Sequence, residues 1–106
     1  MAWYVSGSNL QMCEGDYGLQ LPITISGTEF TENDVIKIVF KAERNGEEIL
    51  TKEYTPQNGE VNLVLTEGES ELFPVGAYVY SLDWYQSGNF MCNIIPLSAF
   101  KVVDKA

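Results

Sequence analysis

The chain has 106 residues, of which 15 are Asp or Glu and 6 are Lys or Arg, so its formal net charge is −9. This length fits one domain, and a hydrophobic fraction of 45% excludes a disordered chain. The acidity argues against nucleic acid and anionic membranes as partners, and the absence of histidine removes the commonest general base and metal ligand.

Apolar and polar residues alternate with a period of two along most of the chain, which predicts β-strands. Residues 1–8 lack this pattern and are predicted to be a flexible leader before a single domain at residues 9–104. Seven strands are predicted, at residues 17–25, 35–42, 47–54, 60–65, 78–85, 90–95 and 99–103. Pro22 has no N–H to donate, so the first of these strands is expected at a sheet edge or at a bulge.

Turn residues separate the strands. Asn45-Gly46 predicts a hairpin with a type I′ turn, since both central positions of that turn need positive φ. Thr66 and Glu69 have the spacing of a capping box, which predicts one helical turn between strands. Ser87 and Gly88 predict another turn before the last part of the chain.

The strand count and the spacing of the turns predict the fold class. About seven strands without a long helix indicate an all-β, immunoglobulin-like antiparallel β-sandwich with Greek-key connections. A parallel sheet packed between helices would instead need strands that are apolar on both faces. In the most apolar strand, Ile36, Ile38 and Phe40 are predicted to face the core.

One segment, residues 72–78, has the pattern of a tyrosine corner. Here Leu72 is predicted to pack inward and Gly76 to permit the bend. The hydroxyl of Tyr78 is predicted to bond to backbone a few residues upstream. This interpretation makes Leu72, Gly76 and Tyr78 structural residues, with no catalytic role.

No catalytic residue, cofactor site or metal site is predicted. Without histidine, neither Cys13 nor Cys92 has the usual activating partner. Their wide spacing favours two free, largely buried thiols, and the alternative is a disulfide between them in an oxidising compartment. Residues 14–16 and 32–34 offer carboxylates that calcium could use, but they lack the spacing of a calcium loop.

Aromatic residues are the remaining candidates for binding. Trp84 and Tyr85 are neighbours in one predicted strand, so their side chains should lie on opposite faces of the sheet. Together with Phe90 they are the candidate surface contacts, for a protein partner or for a sugar.

The stretch from Thr66 to Leu82, T-x-x-E-S-x-L-x-x-x-G-x-Y-x-Y-x-L, supports a family resemblance. With the alternating strands before it, the chain resembles the immunoglobulin-like domains of phage and prophage structural proteins, such as the N-terminal domain of baseplate upper or tail-fibre proteins. The resemblance spans about residues 10–103. It implies a virion component that docks with other virion proteins or with itself, as a possible homo-oligomer.

The sequence therefore supports two alternative functions. The first is a non-enzymatic structural module of a prophage-encoded tail, baseplate or fibre, which acts by protein–protein docking. The alternative is a carbohydrate-binding or adhesin-like β-sandwich module. The N-terminus has no basic and apolar signal sequence, so the chain is expected to be made in a bacterial cytoplasm and then incorporated in a virion.

Overall fold

Two β-sheets and one short helix make up the fold in the computed structural model, which describes residues 3–26 and 29–104. The elements are β1 (Tyr4–Ser6), β2 (Asn9–Cys13), β3 (Leu21–Thr24), β4 (Asp34–Lys41), β5 (Glu48–Tyr54), β6 (Glu60–Leu63), α1 (Glu67–Ser70), β7 (Gly76–Gln86) and β8 (Asn89–Val103). A six-stranded sheet has the order β1-β2-β8-β7-β4-β5, and β3 and β6 form a two-stranded sheet. The predicted all-β class is confirmed.

The core lies on one face of the six-stranded sheet. The predicted stripe of Ile36, Ile38 and Phe40 is confirmed, since all three are fully buried. Val61 and Leu63 of the two-stranded sheet belong to the same buried cluster. The small sheet therefore covers one face of the large one, as in a sandwich with layers of unequal size.

The prediction of purely antiparallel sheets is wrong at one pair of strands. β2 runs parallel to β8, with Leu10 opposite Phe100 and Cys13 opposite Val103. The two strands come from opposite ends of the chain, so no short turn forces them to be antiparallel. Alternation reports which face of a strand is buried, but it carries no information on the direction of the neighbouring strand.

The N-terminal segment contains structure that the sequence did not predict. β1, within the segment expected to be a leader, pairs with β2, and the ring centroid of Trp3 lies 6.0 Å from that of Phe100. Residues 3–8 therefore include part of the fold, while Met1 and Ala2 lie outside the described residues.

The last two predicted strands form the single strand β8, which continues through Pro96. Its pairing with β7 shifts register at three points, which marks bulges. A proline in a strand is tolerated where its missing N–H is not needed for a ladder. Pro22 agrees with its prediction, because β3 has β6 as its one partner strand among the described residues.

The hairpin around Asn45-Gly46 is confirmed, but its type I′ turn is not. β4 and β5 pair antiparallel, and neither Asn45 nor Gly46 has positive φ. Positive φ at two successive residues occurs at Asn58-Gly59 and at Ser87-Gly88. The turn between β7 and β8 is therefore the tight one, whereas six residues join β4 to β5.

The capping box of α1 is confirmed. Thr66 Oγ1 accepts from the backbone N–H of Glu69, and the Glu69 carboxylate accepts from the backbone N–H of Thr66. The same carboxylate accepts from Lys52 Nζ at 2.7 Å. Lys52 lies in β5 on the core side, opposite Ile38, and links this strand to the helix.

No helix in the described part of the chain is long and apolar enough to cross a membrane.

The segment before β7 differs from its prediction at one residue. Leu72, expected to pack inward, is 46% exposed, and its neighbour Phe73 is buried instead. The Tyr78 hydroxyl donates to the carbonyl of Pro74 at 2.6 Å, and a Cβ added to Gly76 would meet that hydroxyl at 3.6 Å. The segment is one residue longer than the usual corner pattern, and this shifts the inward position from Leu72 to Phe73.

Tyr78→Phe should lower the free energy of unfolding by about 0.5–1.5 kcal/mol, because one hydrogen bond to backbone is lost while the ring remains. The residue is only half-buried, so the larger loss of a fully buried bond is not expected. Chemical denaturation of both proteins measures the difference. Equal denaturation midpoints and slopes for the two proteins would show that this hydrogen bond does not stabilise the corner.

Candidate functional site

A long stretch without charge sets the C-terminal hairpin apart from the rest of the molecule. One residue in five of the whole chain is charged, yet residues 84–100 contain no Asp, Glu, Lys or Arg. Asp83 and Lys101 stand at its two ends. We call residues 84–100 the uncharged segment; it comprises the end of β7, the Ser87-Gly88 turn and most of β8.

Most of β8 has a strand neighbour on one side only. It pairs with β7 from Asn89 to Val102, whereas its pairing with β2 covers Phe100 to Val103. Residues 98–99 are covered by side chains at the start of β2, since Ser8 Oγ contacts Ser98 Oγ and Asn9 Oδ1 accepts from the Ala99 N–H. Pro96 has no N–H to donate to a further strand, so the open edge that we call the free edge comprises residues 89–95. Unpaired backbone groups along such an edge can pair with another chain.

The free edge also exposes apolar side chains. Phe90 is 53% exposed and Met91 45% exposed. Cys92 is exposed too, whereas Cys13 is half-buried, and both thiols are free. The prediction of two buried thiols is therefore wrong for Cys92, which lies opposite Trp84 on the edge that β2 leaves uncovered.

The structure brings together two of the three predicted surface contacts. Tyr85 lies opposite Phe90, with ring centroids 5.6 Å apart and an angle of 72° between the rings. Lys37 Nζ lies 4.2 Å from the centroid of the Tyr85 ring, a distance at which a cation attracts a π-system. These side chains occupy the face of the large sheet that lies away from the small sheet.

Trp84 lies on the other face, because the side chains of successive residues in a strand point to opposite faces of the sheet. It is opposite Ile36 and packs against the buried core, with its ring edge-on to Phe30 at 5.5 Å. Its indole N–H donates to Asp34 Oδ1 at 2.8 Å. Trp84 therefore positions the hairpin from within and is not a surface contact.

Asp34 anchors the hairpin to the loop before β4. Its side chain is fully buried, and Oδ2 accepts from the backbone N–H of Thr31 at 2.7 Å, while Oδ1 accepts from Trp84. The backbone N–H of Ser87 donates to the carbonyl of Asn33 at 2.9 Å. The Thr31 N–H, followed by the Trp84 indole, holds the pKa of Asp34 below its usual value. Both carboxylate oxygens are thus bonded to protein donors, which gives this carboxylate a structural role.

Asp34→Asn should destabilise the protein at neutral pH and much less in acid. The carboxylate has a lower pKa when folded, so its stabilising effect is complete above its unfolded pKa of about 4 and is lost as the pH falls through the folded pKa. Denaturation of wild type and variant at neutral pH and at about pH 2–3 measures the difference between them. A difference that stays constant over this range would contradict the assigned interactions.

An apolar groove runs beside the inner end of the free edge. Val5, Leu21, Ile23 and Ile95 line it, between the β1–β2 turn and β3. Val5 is 48% exposed. Neither this groove nor the free edge is predicted from the sequence, because both depend on which strands are neighbours. The signal that the sequence does contain is the absence of charge over residues 84–100.

Within residues 3–26 and 29–104, no three Cys, Asp or Glu side chains converge to hold a metal ion. Comparison of the chain with protein-family models, with curated protein sequences and with solved structures found no match.

Proposed function

We propose that the chain is a non-enzymatic interaction module that docks through its free edge, and that it serves in a phage or prophage virion as a tail, baseplate or fibre component. The virion role, and an immunoglobulin-like relationship to the phage domains that the sequence resembles, are parts of this proposal. A mixed six-stranded sheet replaces the antiparallel one that the resemblance implies.

The contrast between the edges of the large sheet supports docking. β5, at one edge, carries Glu48, Lys52 and Glu53, and β1, at the other, has three residues. Charges and short length are the usual means by which proteins prevent edge strands from pairing. The free edge is seven residues long and carries no charge, although its pairing with β7 shifts register as in a bulged edge. This uncharged edge in a strongly acidic chain is the observation on which the proposal rests.

A carbohydrate-binding module has less support from the geometry. Sugar rings stack on flat, exposed aromatic faces, but Trp84 is directed to the core and the rings of Tyr85 and Phe90 meet nearly at right angles. Lys37 in addition covers one face of Tyr85. A glycan array that shows strong, saturable binding to this surface would favour the alternative.

Purified virus particles test the proposed function. Prophages of the source strain are induced, and the particles are probed for the chain in wild-type, Phe90→Lys and Val75→Lys backgrounds. Val75 is a matched control because it is 51% exposed, against 53% for Phe90, and lies outside the hairpin. We expect the wild type and Val75→Lys in the particles and Phe90→Lys depleted from them by about tenfold. Absence of the wild-type chain from the particles would contradict the virion role.

A further inference from the structure

We propose that the occupant of the free edge is a second copy of this chain, which pairs antiparallel to it about a two-fold axis close to Cys92. The six-stranded sheets of the two copies would then form one continuous sheet. This inference rests on the proposed function, since it assumes that the free edge is a docking site.

Charge favours a second copy as the partner. Each copy carries a net charge of −9, so contact through most surfaces would bring carboxylates of one copy against those of the other. The free edge lessens this repulsion, because its residues 89–95 meet the same uncharged residues in the second copy. The one carboxylate of the neighbouring strand β7, that of Asp83, accepts a hydrogen bond from Asn93 Nδ2 within its own copy. An edge without charge also offers no electrostatic preference for a basic or an acidic partner.

The two-fold symmetry of such a dimer determines which residue lies at the axis. A two-fold interface uses the same surface on both subunits, and an antiparallel strand pair satisfies this when the strand pairs with its own copy. The midpoint of residues 89–95 is Cys92, so Cys92 lies opposite Cys92 of the second copy when the whole free edge is used. Cα atoms of opposite residues are then about 4.5–5.5 Å apart, within the range of a disulfide.

Apolar contacts between the two copies also favour this pairing. Antiparallel pairing places the tip of one hairpin beside the inner end of the other. With Cys92 opposite Cys92, the exposed Phe90 of one copy lies opposite Ile94 of the other, and the exposed Met91 lies opposite Asn93. The bulges of β8 interrupt the ladder and shorten the pairing, so we expect a dissociation constant of about 1–100 µM.

Sedimentation and crosslinking together test the inference. Wild type and Val75→Lys should change from monomer to dimer between about 1 and 500 µM, and Phe90→Lys should weaken this association by about tenfold. Diamide, which accepts the two electrons released when two thiols form a disulfide, should crosslink wild type and Cys13→Ser at high protein concentration. It should not crosslink Cys92→Ser. Because Phe90→Lys replaces an exposed side chain, a folded variant is expected, and its thermal unfolding serves as the check.

A wild type that stays monomeric at the highest concentration, or a crosslink formed through Cys13, would overturn the second copy as occupant. If Phe90→Lys is nevertheless depleted from particles, the proposed function stands and the free edge binds another virion protein. If the wild type dimerises as expected but Phe90→Lys enters particles normally, the proposed function fails at this surface while the dimer stands.

Discussion

Phe40→Ala should lower the free energy of unfolding by about 3–5 kcal/mol. The Phe40 side chain is fully buried, and its ring centroid lies 5.1 Å from that of Phe100 and 5.3 Å from that of Phe73. Truncation removes the apolar contacts of a whole ring and leaves a cavity between the layers. A domain of this size has about 5–15 kcal/mol of stability in total, so the variant should be marginally folded.

Lys41→Ala is the matched control, because Lys41 follows Phe40 in β4 and faces the other side of the sheet. Its loss should stay within about 0.5 kcal/mol. Urea denaturation of the two variants and wild type gives the comparison. Similar losses for both variants would mean that the core is not where the fold places it.

Phe73→Ala should cost about 3–5 kcal/mol, whereas Leu72→Ala should cost less than about 1 kcal/mol. Phe73 is 1% exposed and meets Phe40, Tyr78 and Phe100 edge-on, with centroids 5.2–5.3 Å away. Leu72 beside it is 46% exposed. A comparison of the two variants distinguishes the observed segment, in which Phe73 is buried, from the simple corner pattern, in which Leu72 would be buried.

The control for both variants is far-UV circular dichroism before denaturation, which shows whether the sheet forms. A larger loss for Leu72→Ala than for Phe73→Ala would restore the corner pattern predicted from the sequence. It would also contradict the position of the segment between α1 and β7.

Local patterns in the sequence predicted local structure well. Ile36, Ile38 and Phe40 were identified as core residues because alternation in a strand reports directly on burial. Thr66 and Glu69 were identified as a capping box because both of its hydrogen bonds lie within four residues. Such features need no knowledge of the remainder of the chain.

Features that depend on distant partners were not predictable. The parallel pairing of β2 with β8 joins segments about 90 residues apart, and β1 was too short and exposed to give a pattern. The position of Lys52 on the core side also depends on a distant residue, because Glu69 in α1 compensates its charge. The free edge exists because β2 pairs only with the end of β8, from Phe100 to Val103.

The candidate site was predicted in part. Tyr85 and Phe90, which are predicted as surface aromatics, lie together on the face away from the small sheet. Trp84 is predicted with them, but Asp34 and Phe30 hold it on the core side. The net charge of −9 argues against nucleic acid as a partner. The structure adds that the free edge is a gap in this acidic surface.

Amide hydrogen exchange as a function of protein concentration tests the central claim most directly, namely that residues 89–95 are a docking edge for a second copy. Amides in β4 should be protected at every concentration, and amides on the outer side of β5 should exchange equally fast at every concentration. We expect the amides of residues 89–95 to exchange rapidly at about 1 µM and to become protected at about 500 µM. Exchange at residues 89–95 that is independent of concentration, in a sample that is otherwise folded, would contradict the claim.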